Sequence, residues 1–572
     1  MTTSETDRIL SSGKALKAHY SVFIVGGGIN GAGLFRDLSL QGVDCLLIES
    51  GDFCSGASAG PSRLIHGGIK YLENGEFRLV RQSTLERNLL LKNAPHYVKP
   101  IETVLPIHSW FGGIIPSIIR FFGGTAKLKD RGVFITKLGL MLFDLLGRNH
   151  RGLPEHKLAL RGATLKAFPE MVPSLTASAT YFDARVTHAE RLGLELILDG
   201  MTANAGSLAL NHVALSNADA GTLELNDRIS GEIYKVSASA IVNAAGAWID
   251  QANLNLGLKT SYMGGNKGSH LILENPRLLQ ALNGRMVYFG SADGRVALLY
   301  PFMGRVLVGS TDIPVETPDM AVCDDTERDY MLATLQEVFP QIPVAPSQVV
   351  YTYCGVRPLP RSDSNDPGAV SRDHSIVEDL LPNTNTPIFA MIGGKWTTFR
   401  GFAEEASDKI LKLLNRKRLI STQLLQIGGG KNFPKTPADR LAFLTRLQDF
   451  VLDAERCEIL FDRYGTHSEA VAQWCCARND TLLKALPDYS HQEIVFIFRH
   501  ELVGRLADVI FRRTDIALSG RLTAESLLEI AEIGRTHLGW DETQTNAELS
   551  NVLDVARHQH GMKSLSLRLP EQ

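Results

Sequence analysis

Residues 22–33 read Val22-Phe23-Ile24-Val25-Gly26-Gly27-Gly28-Ile29-Asn30-Gly31-Ala32-Gly33, and a second apolar run, Cys45-Leu46-Leu47-Ile48, ends on Glu49. Val22 to Val25 suits a short buried parallel strand. Gly26, Gly28 and Gly31 stand at the G-x-G-x-x-G spacing. The first permits a tight turn, the second lets backbone approach a pyrophosphate, and the third lets the following helix pack on its strand. A helix from about Ile29 aims its positive end at phosphates. Glu49 falls 18 residues after Gly31, where a carboxylate accepts hydrogen bonds from an adenosine ribose. A glycine turn that served packing alone would leave Glu49 unexplained. The stretch therefore predicts a dinucleotide site.

The 572 residues exceed one hydrophobic core and suggest about three or four units. A net charge of −3 gives no global basic field, so nucleic acid is not an expected partner. The seven cysteines form no C-x-x-C or zinc spacing, which fits a reducing compartment and predicts no metal. Met1 to Tyr20 is polar and lacks the apolar core of a signal peptide. No run reaches the length of a membrane-spanning helix. Trp110 to Phe122, Lys127, Lys129 and Arg131, and Val133 to Leu146 nevertheless set apolar residues beside cations. Two readings stay open: a segment lying in the plane of an anionic bilayer, or a buried pair of short helices with a solvated basic loop.

A second ligand-approach signal is Ala240-Ile-Val-Asn-Ala-Ala-Gly-Ala-Trp248, an apolar strand running into small residues. His212 to Leu215 has a β pattern, and Gly264 to about Val350 alternates strands with turns, as an antiparallel sheet does. Ile388 to Ile392 reads as a strand, after which Gly393-Gly394-Lys395-Trp396-Thr397-Thr398 opens a helix over Arg400 to Leu414. Beyond Leu419, helical spacing covers Asp439 to Asp453, Ser468 to Ala477, Gln492 to Phe511 and Thr523 to His537.

Further strings accumulate: Ser58-Ala-Gly-Pro-Ser-Arg-Leu-Ile-His-Gly-Gly-Ile-Lys-Tyr-Leu-Glu73, Ala94-Pro-His96, Lys267-Gly-Ser-His270, Gly309-Ser-Thr-Asp312, Tyr351-Thr-Tyr-Cys-Gly-Val-Arg-Pro-Leu359, Ala507-Asp508 and Arg512-Arg-Thr514. Together, colinear from about Tyr20 to about Thr514, these resemble the FAD-dependent glycerol-3-phosphate dehydrogenases, membrane-associated flavoproteins of respiratory glycerol metabolism. The resemblance implies an α/β fold: a D-amino-acid-oxidase-like FAD-binding Rossmann domain, an antiparallel substrate domain and a C-terminal helical cap. On the sequence this gives a flexible N-terminus over 1–19, FAD-binding segments over 20–107, 151–262 and 351–418, and a membrane-contact insertion over 108–150. The substrate domain takes 263–350 and the helical domain 419–572.

The implied reaction oxidises sn-glycerol 3-phosphate to dihydroxyacetone phosphate, with hydride passing to FAD and electrons to a membrane quinone. The implied setting is peripheral, on the cytoplasmic face of the inner membrane, and a homodimer is compatible with it. Carried over by position, Gly26, Gly28, Ile29, Asn30, Gly31 and Glu49 serve the ADP half of FAD. Ser58, Ser62, His66, Gly67 and Gly68 run past the flavin. Val213, Ala245, Gly246, Gly394, Lys395, Trp396 and Thr397 complete the cradle. Removing a hydride from a secondary alcohol requires a base for the hydroxyl proton, and His270 is the candidate. Arg357 suits bidentate phosphate binding, with a structural ion pair as its other reading. Lys70, Tyr71 and Lys395 are further substrate candidates, and Lys395 can equally neutralise the reduced flavin.

Two departures bear on the substrate. Lys70 stands where the family commonly has arginine, and Val186-Thr-His-Ala-Glu-Arg-Leu192 where it often reads Val-Asp-Asp-Ala-Arg-Leu. Another polyol phosphate, such as erythritol phosphate, or an oxygen-using oxidase is the alternative. A flavoprotein retained as a non-catalytic scaffold is the non-enzyme reading.

Overall fold

In the computed structural model of the chain, the described residues are 16–113, 131–149, 152–291, 294–361, 373–450 and 452–567. His19–Val25 is the centre of a sheet whose parallel strands run Pro387–Ile392, Ile233–Asn243, His19–Val25, Cys45–Glu49 and Leu208–Asn211, with Ser375–Leu380 antiparallel at one edge. Val22, Phe23 and Ile24 are fully buried, as strands covered on both faces require. Helix Ile29–Leu40 makes the crossover to Cys45–Glu49 and packs against Ala189–Ala203. Three of its neighbouring pairs join distant parts of the chain, Ile233–Asn243 with His19–Val25 and with Pro387–Ile392, and Cys45–Glu49 with Leu208–Asn211, so the cofactor unit is assembled from separated segments.

The second sheet is mostly antiparallel and larger than the expected 263–350 unit. Met263–Leu273 pairs with Arg305–Gly309 and along its length with Val349–Pro360. Val98–Ile107 and Ala177–Val186 pair with each other, and Met286–Gly290 joins them through a parallel bridge to Val98–Ile107. Leu64–Ile65 and Lys157–Leu160 add to Ala177–Val186. Residues in the expected cofactor segments 20–107 and 151–262, and at the start of 351–418, contribute strands to this second sheet, whose central strands are covered on both faces.

Alternation shows how that cover works. Ile272, Leu298 and Leu307 face Ile494, Phe498 and other residues of the C-terminal helices. Leu271, Leu273, Leu299 and Val308 face Met331 and Leu335 of helix Asp325–Val338. Successive residues thus serve opposite cores, which is the period of two that a strand imposes.

Three C-terminal expectations change. The helix expected over Asp439 to Asp453 ends at Gln448, and Ala454–Tyr464 follows as a helix of its own. Gln492 to Phe511 is not one helix: His491–His500 stops, Leu502 takes a positive φ, and a short turn at Leu506–Asp508 leads into a wide turn at Val509–Arg513. A further helix, Glu542–His558, follows Thr523 to His537; its polar composition hid it, and an Asp541 cap starts it. Helix Val133–Leu146 is buried along one face only. Leu140 and Phe143 face inward, while Phe134, Leu138, Met141 and Leu145 form an exposed row at helical spacing, with Phe111 stacked on Phe134 at 5.8 Å. Ile114 to Asp130, including Lys127 and Lys129, lie outside the described residues.

Candidate active site

A cavity of 2260 Å³ is walled by both sheets. At its nucleotide end Gly26 has φ +103°, and a Cβ there would lie 2.6 Å from the Ala244 carbonyl oxygen, so the turn admits only glycine. A Cβ on Gly31 would lie 1.9 Å from the Gly26 oxygen. Gly31 therefore supports the turn from behind, outside the cavity lining. Ile29 N–H, at the helix start, donates to Ser58 Oγ at 2.9 Å, and the Ser58 carbonyl accepts Trp396 Nε1–H at 3.0 Å. The Glu49 carboxylate accepts Gly27 N–H at 2.8 Å and Gly51 N–H at 2.9 Å. Burial raises its pKa against these two bonds. Val213, Ala245, Gly246, Gly394 and Thr397 also line the cavity.

Asn30 bears on what fits. Its Nδ2 donates to the Gly393 carbonyl at 3.3 Å, while its buried Oδ1 meets no donor among the described residues. A buried acceptor of this kind requires a partner, such as a sugar or ribityl hydroxyl.

At the other sheet, His270 Nε2 sits 2.8 Å from Ser62 Oγ, and the ring stacks on Tyr353 with centroids 4.9 Å apart. A Cβ on Gly309 would come within 2.2 Å of the imidazole, so that glycine makes room for it. Nδ1 has no hydrogen-bond partner among the described residues. Burial, helped by Arg357 and Arg63, pulls the imidazole down to about 3 and keeps it neutral. Arg357 lies flat over Gly268, donates to Asp312 Oδ1 at 2.8 Å and to the Thr311 carbonyl at 3.1 Å, and still lines the cavity. Its two readings, ion pair and cavity cation, thus coexist.

After Gly68, at φ +79°, the turn Ile69–Asn74 brings Lys70 and Tyr71 to the cavity. Lys395 Nζ stands 3.8 Å from the Tyr71 ring centroid and donates to Ser83 Oγ at 3.3 Å. The His66 carbonyl accepts the Thr397 hydroxyl at 3.4 Å. Gly67 does not line the cavity; its N–H goes to Asp183 at 2.8 Å and its Cα abuts Phe143. Thr187 and His188 also lie elsewhere. Thr187 bonds to the Tyr97 carbonyl and His188 starts helix Ala189–Ala203, so this departure from the family does not touch the cavity wall.

The sequence reading gave no role to Asp312, the acid that holds Arg357, or to Tyr353, the platform for His270. Both stand within quoted strings, but only pairing with Met263–Leu273 shows what they do. Arg131, which the sequence reading grouped with Lys127 and Lys129 in the apolar and cationic segment, and Arg295, which no motif marked, both line the cavity.

Residues 21–380 match the model of the FAD-dependent oxidoreductases, and residues 420–545 that of the C-terminal domain of alpha-glycerophosphate oxidase. A glycerol-3-phosphate dehydrogenase of Synechocystis sp. is 32% identical over 93% of this chain and 95% of its own. The chain belongs to the FAD-dependent glycerol-3-phosphate dehydrogenase family. A D-erythritol 1-phosphate dehydrogenase of Brucella abortus is 30% identical, covering 86% of this chain and 93% of its own. The solved glycerol-3-phosphate dehydrogenase of Bacillus halodurans, complexed with FAD, superposes with a TM-score of 0.74 at 21% identity over 97% of both chains, which shows a shared fold. Like the family, this member is an FAD enzyme, and the glycine turn, Glu49 and the open acceptor of Asn30 fit that cofactor.

Proposed function

We propose that this flavoprotein oxidises the secondary alcohol of a small polyol phosphate, sn-glycerol 3-phosphate first among them, to the corresponding ketone. The convergence of neutral His270 with Ser62 and Arg357 at one cavity wall supports this most directly. FAD, when bound, supplies the acceptor for the hydride. His270 takes the hydroxyl proton on its imidazole, and Ser62 orients the ring. Arg357, Lys70 and Lys395 bind the phosphate dianion. Placing that charge beside Arg357 offsets the field that depresses His270, so the base strengthens as substrate arrives. Tyr353 covers one ring face against water.

Lys70 supports a second substrate reading. A point-charge ammonium recognises phosphate without the planar fork of arginine, which leaves room for a longer polyol phosphate. We assign quinone as the acceptor because of the exposed row Phe134, Leu138, Met141 and Leu145 with Phe111, which suits shallow burial in a bilayer. No helix among the described residues is long and apolar enough to cross a membrane. The site then works peripherally, at the cytoplasmic face of an inner membrane, and the homodimer rests on the resemblance alone.

Anaerobic absorbance tests the proposal. Adding sn-glycerol 3-phosphate should bleach the visible flavin band, and a quinone analogue should restore it. Bleaching by erythritol phosphate alone would replace the substrate. Stoichiometric peroxide in air, with no quinone recovery, would replace the acceptor.

A further inference from the structure

The loop that follows Glu49 is fastened from outside the nucleotide fold. Gly51 N–H returns to the Glu49 carboxylate, and the Gly51 carbonyl accepts His212 N–H at 2.6 Å. Three residues on, Cys54 N–H reaches the Gly27 carbonyl at 3.0 Å, while Gly27 N–H donates to Glu49. The Gly27 peptide of the glycine turn is therefore clamped between the two ends of the loop.

Asp52 lies inside that loop, fully buried and outside the cavity lining. Its carboxylate accepts Asn211 Nδ2 at 2.8 Å, Arg512 Nε at 2.5 Å, and the two terminal nitrogens of Arg513 at 2.6 and 2.8 Å. Both arginines come from the C-terminal helical unit. Arg512 also donates to Asp508 at 3.0 Å. The Asp508 carboxylate takes His212 Nε2 at 3.0 Å and the N–H groups of Gly504 and Arg505 at 2.9 Å each. Asp52, His212 and Asp508 offer ligand atoms within 4.8 Å of one another, yet both carboxylates already serve guanidinium groups.

Buried ion pairs of this kind add little stability over well-packed apolar residues. What two guanidinium groups on one carboxylate supply is position. The position they set is that of the loop whose first residue, Gly51, lines the cavity.

We infer that Arg512 and Arg513 are positioning residues for the adenosine half of the cofactor: through Asp52 they set the Gly51–Cys54 loop, and through it the Glu49 carboxylate. This rests on the ribose role proposed for Glu49. The C-terminal unit then shapes the FAD site without lining this part of it. By linkage, bound FAD tightens the docking of that unit.

The test is a double-mutant cycle on the full-length apoprotein, reading FAD affinity by quenching of flavin fluorescence and apoprotein stability by urea midpoint. Glu49→Gln and Arg512→Lys should each weaken FAD binding by about tenfold. The double variant should bind no more weakly than Glu49→Gln alone, while the urea shift caused by Arg512→Lys stays the same in either background. Wild-type FAD affinity in Glu49→Gln would sink the ribose reading. A weakened Glu49→Gln, with Arg512→Lys either neutral or multiplying fully in the double, would overturn the inference itself. If Arg512→Lys does not fold, the isosteric Asp508→Asn, which loosens Arg512, replaces it in the same cycle.

Discussion

The two ends of the cavity are made in different ways. The nucleotide end is built around one contiguous kernel made largely of backbone: a glycine turn, a helix start and one carboxylate lie within Gly26 to Glu49, and distant segments close around them. The reaction end is made of side chains from four separate strands or loops, carrying Ser62, His270, Asp312 and Arg357. A backbone site tolerates almost no added atom, whereas a side-chain site can change its chemistry one residue at a time. Lys70, in place of the family's usual arginine, is a change of that second kind.

The strongest way to break this comparison is at Gly31. The Gly31→Ala protein should purify without flavin, because its Cβ meets the Gly26 carbonyl at 1.9 Å and neither backbone segment can yield. A yellow, FAD-loaded Gly31→Ala protein would show the turn to be more adaptable than drawn. His270→Asn should instead keep full FAD stoichiometry and lose about 10²- to 10⁴-fold in kcat. Loss of flavin together with activity in that variant would mean the two ends are not separable. Arg357→Lys should raise KM roughly 30-fold with a smaller change in kcat, since lysine keeps the charge and loses the fork. An unchanged KM would confine Arg357 to its bond with Asp312.

Acid should act through three buried imidazoles. Burial holds His188 and His270 down to about 3 and His560 to about 4. The unfolded chain protonates each near pH 6.5 while the native protein does not, so stability falls as pH falls from about 6.5 toward 4. Each histidine contributes about 1.4 kcal/mol per pH unit across that window. Urea midpoints at pH 7, 6 and 5 should drop accordingly, and His188→Gln should make the slope shallower. A flat profile would mean that these imidazoles find a charged partner. The smallest effect is expected at the surface: Leu138→Glu with Met141→Glu should reduce sedimentation with anionic vesicles severalfold and leave turnover with a soluble quinone analogue unchanged. Undiminished sedimentation would remove this helix as the docking face.

The same contrast explains what the sequence could reveal. The Gly26 to Glu49 unit was readable because each element follows from its own residues. So was the alternation of strands and turns over Gly264 to Val350, though not the full length of Met263–Leu273. Strand partners were not readable: nothing local in Val98–Ile107 says that it pairs with Ala177–Val186 rather than joining the parallel sheet. His270 and Arg357 were reached through resemblance, since a histidine in an apolar strand carries no mark of its neighbours. The break after His500 was invisible because its cause is tertiary, the demand of Asp52 and His212 for Asp508, Arg512 and Arg513.

The interleaved order of the parallel sheet has a consequence for synthesis. His19–Val25 leaves the ribosome early, yet its neighbour Ile233–Asn243 follows more than 200 residues later, and Pro387–Ile392 later still. At ribosomal speeds the first strand waits roughly 10–40 s for that neighbour. One of its long edges stays open all that time, and no local hairpin can close it. The cofactor cradle is therefore a late product of translation, without its Ser58–Trp396 bond until Trp396 arrives, and a nascent chain stalled before that point lacks a finished site for FAD.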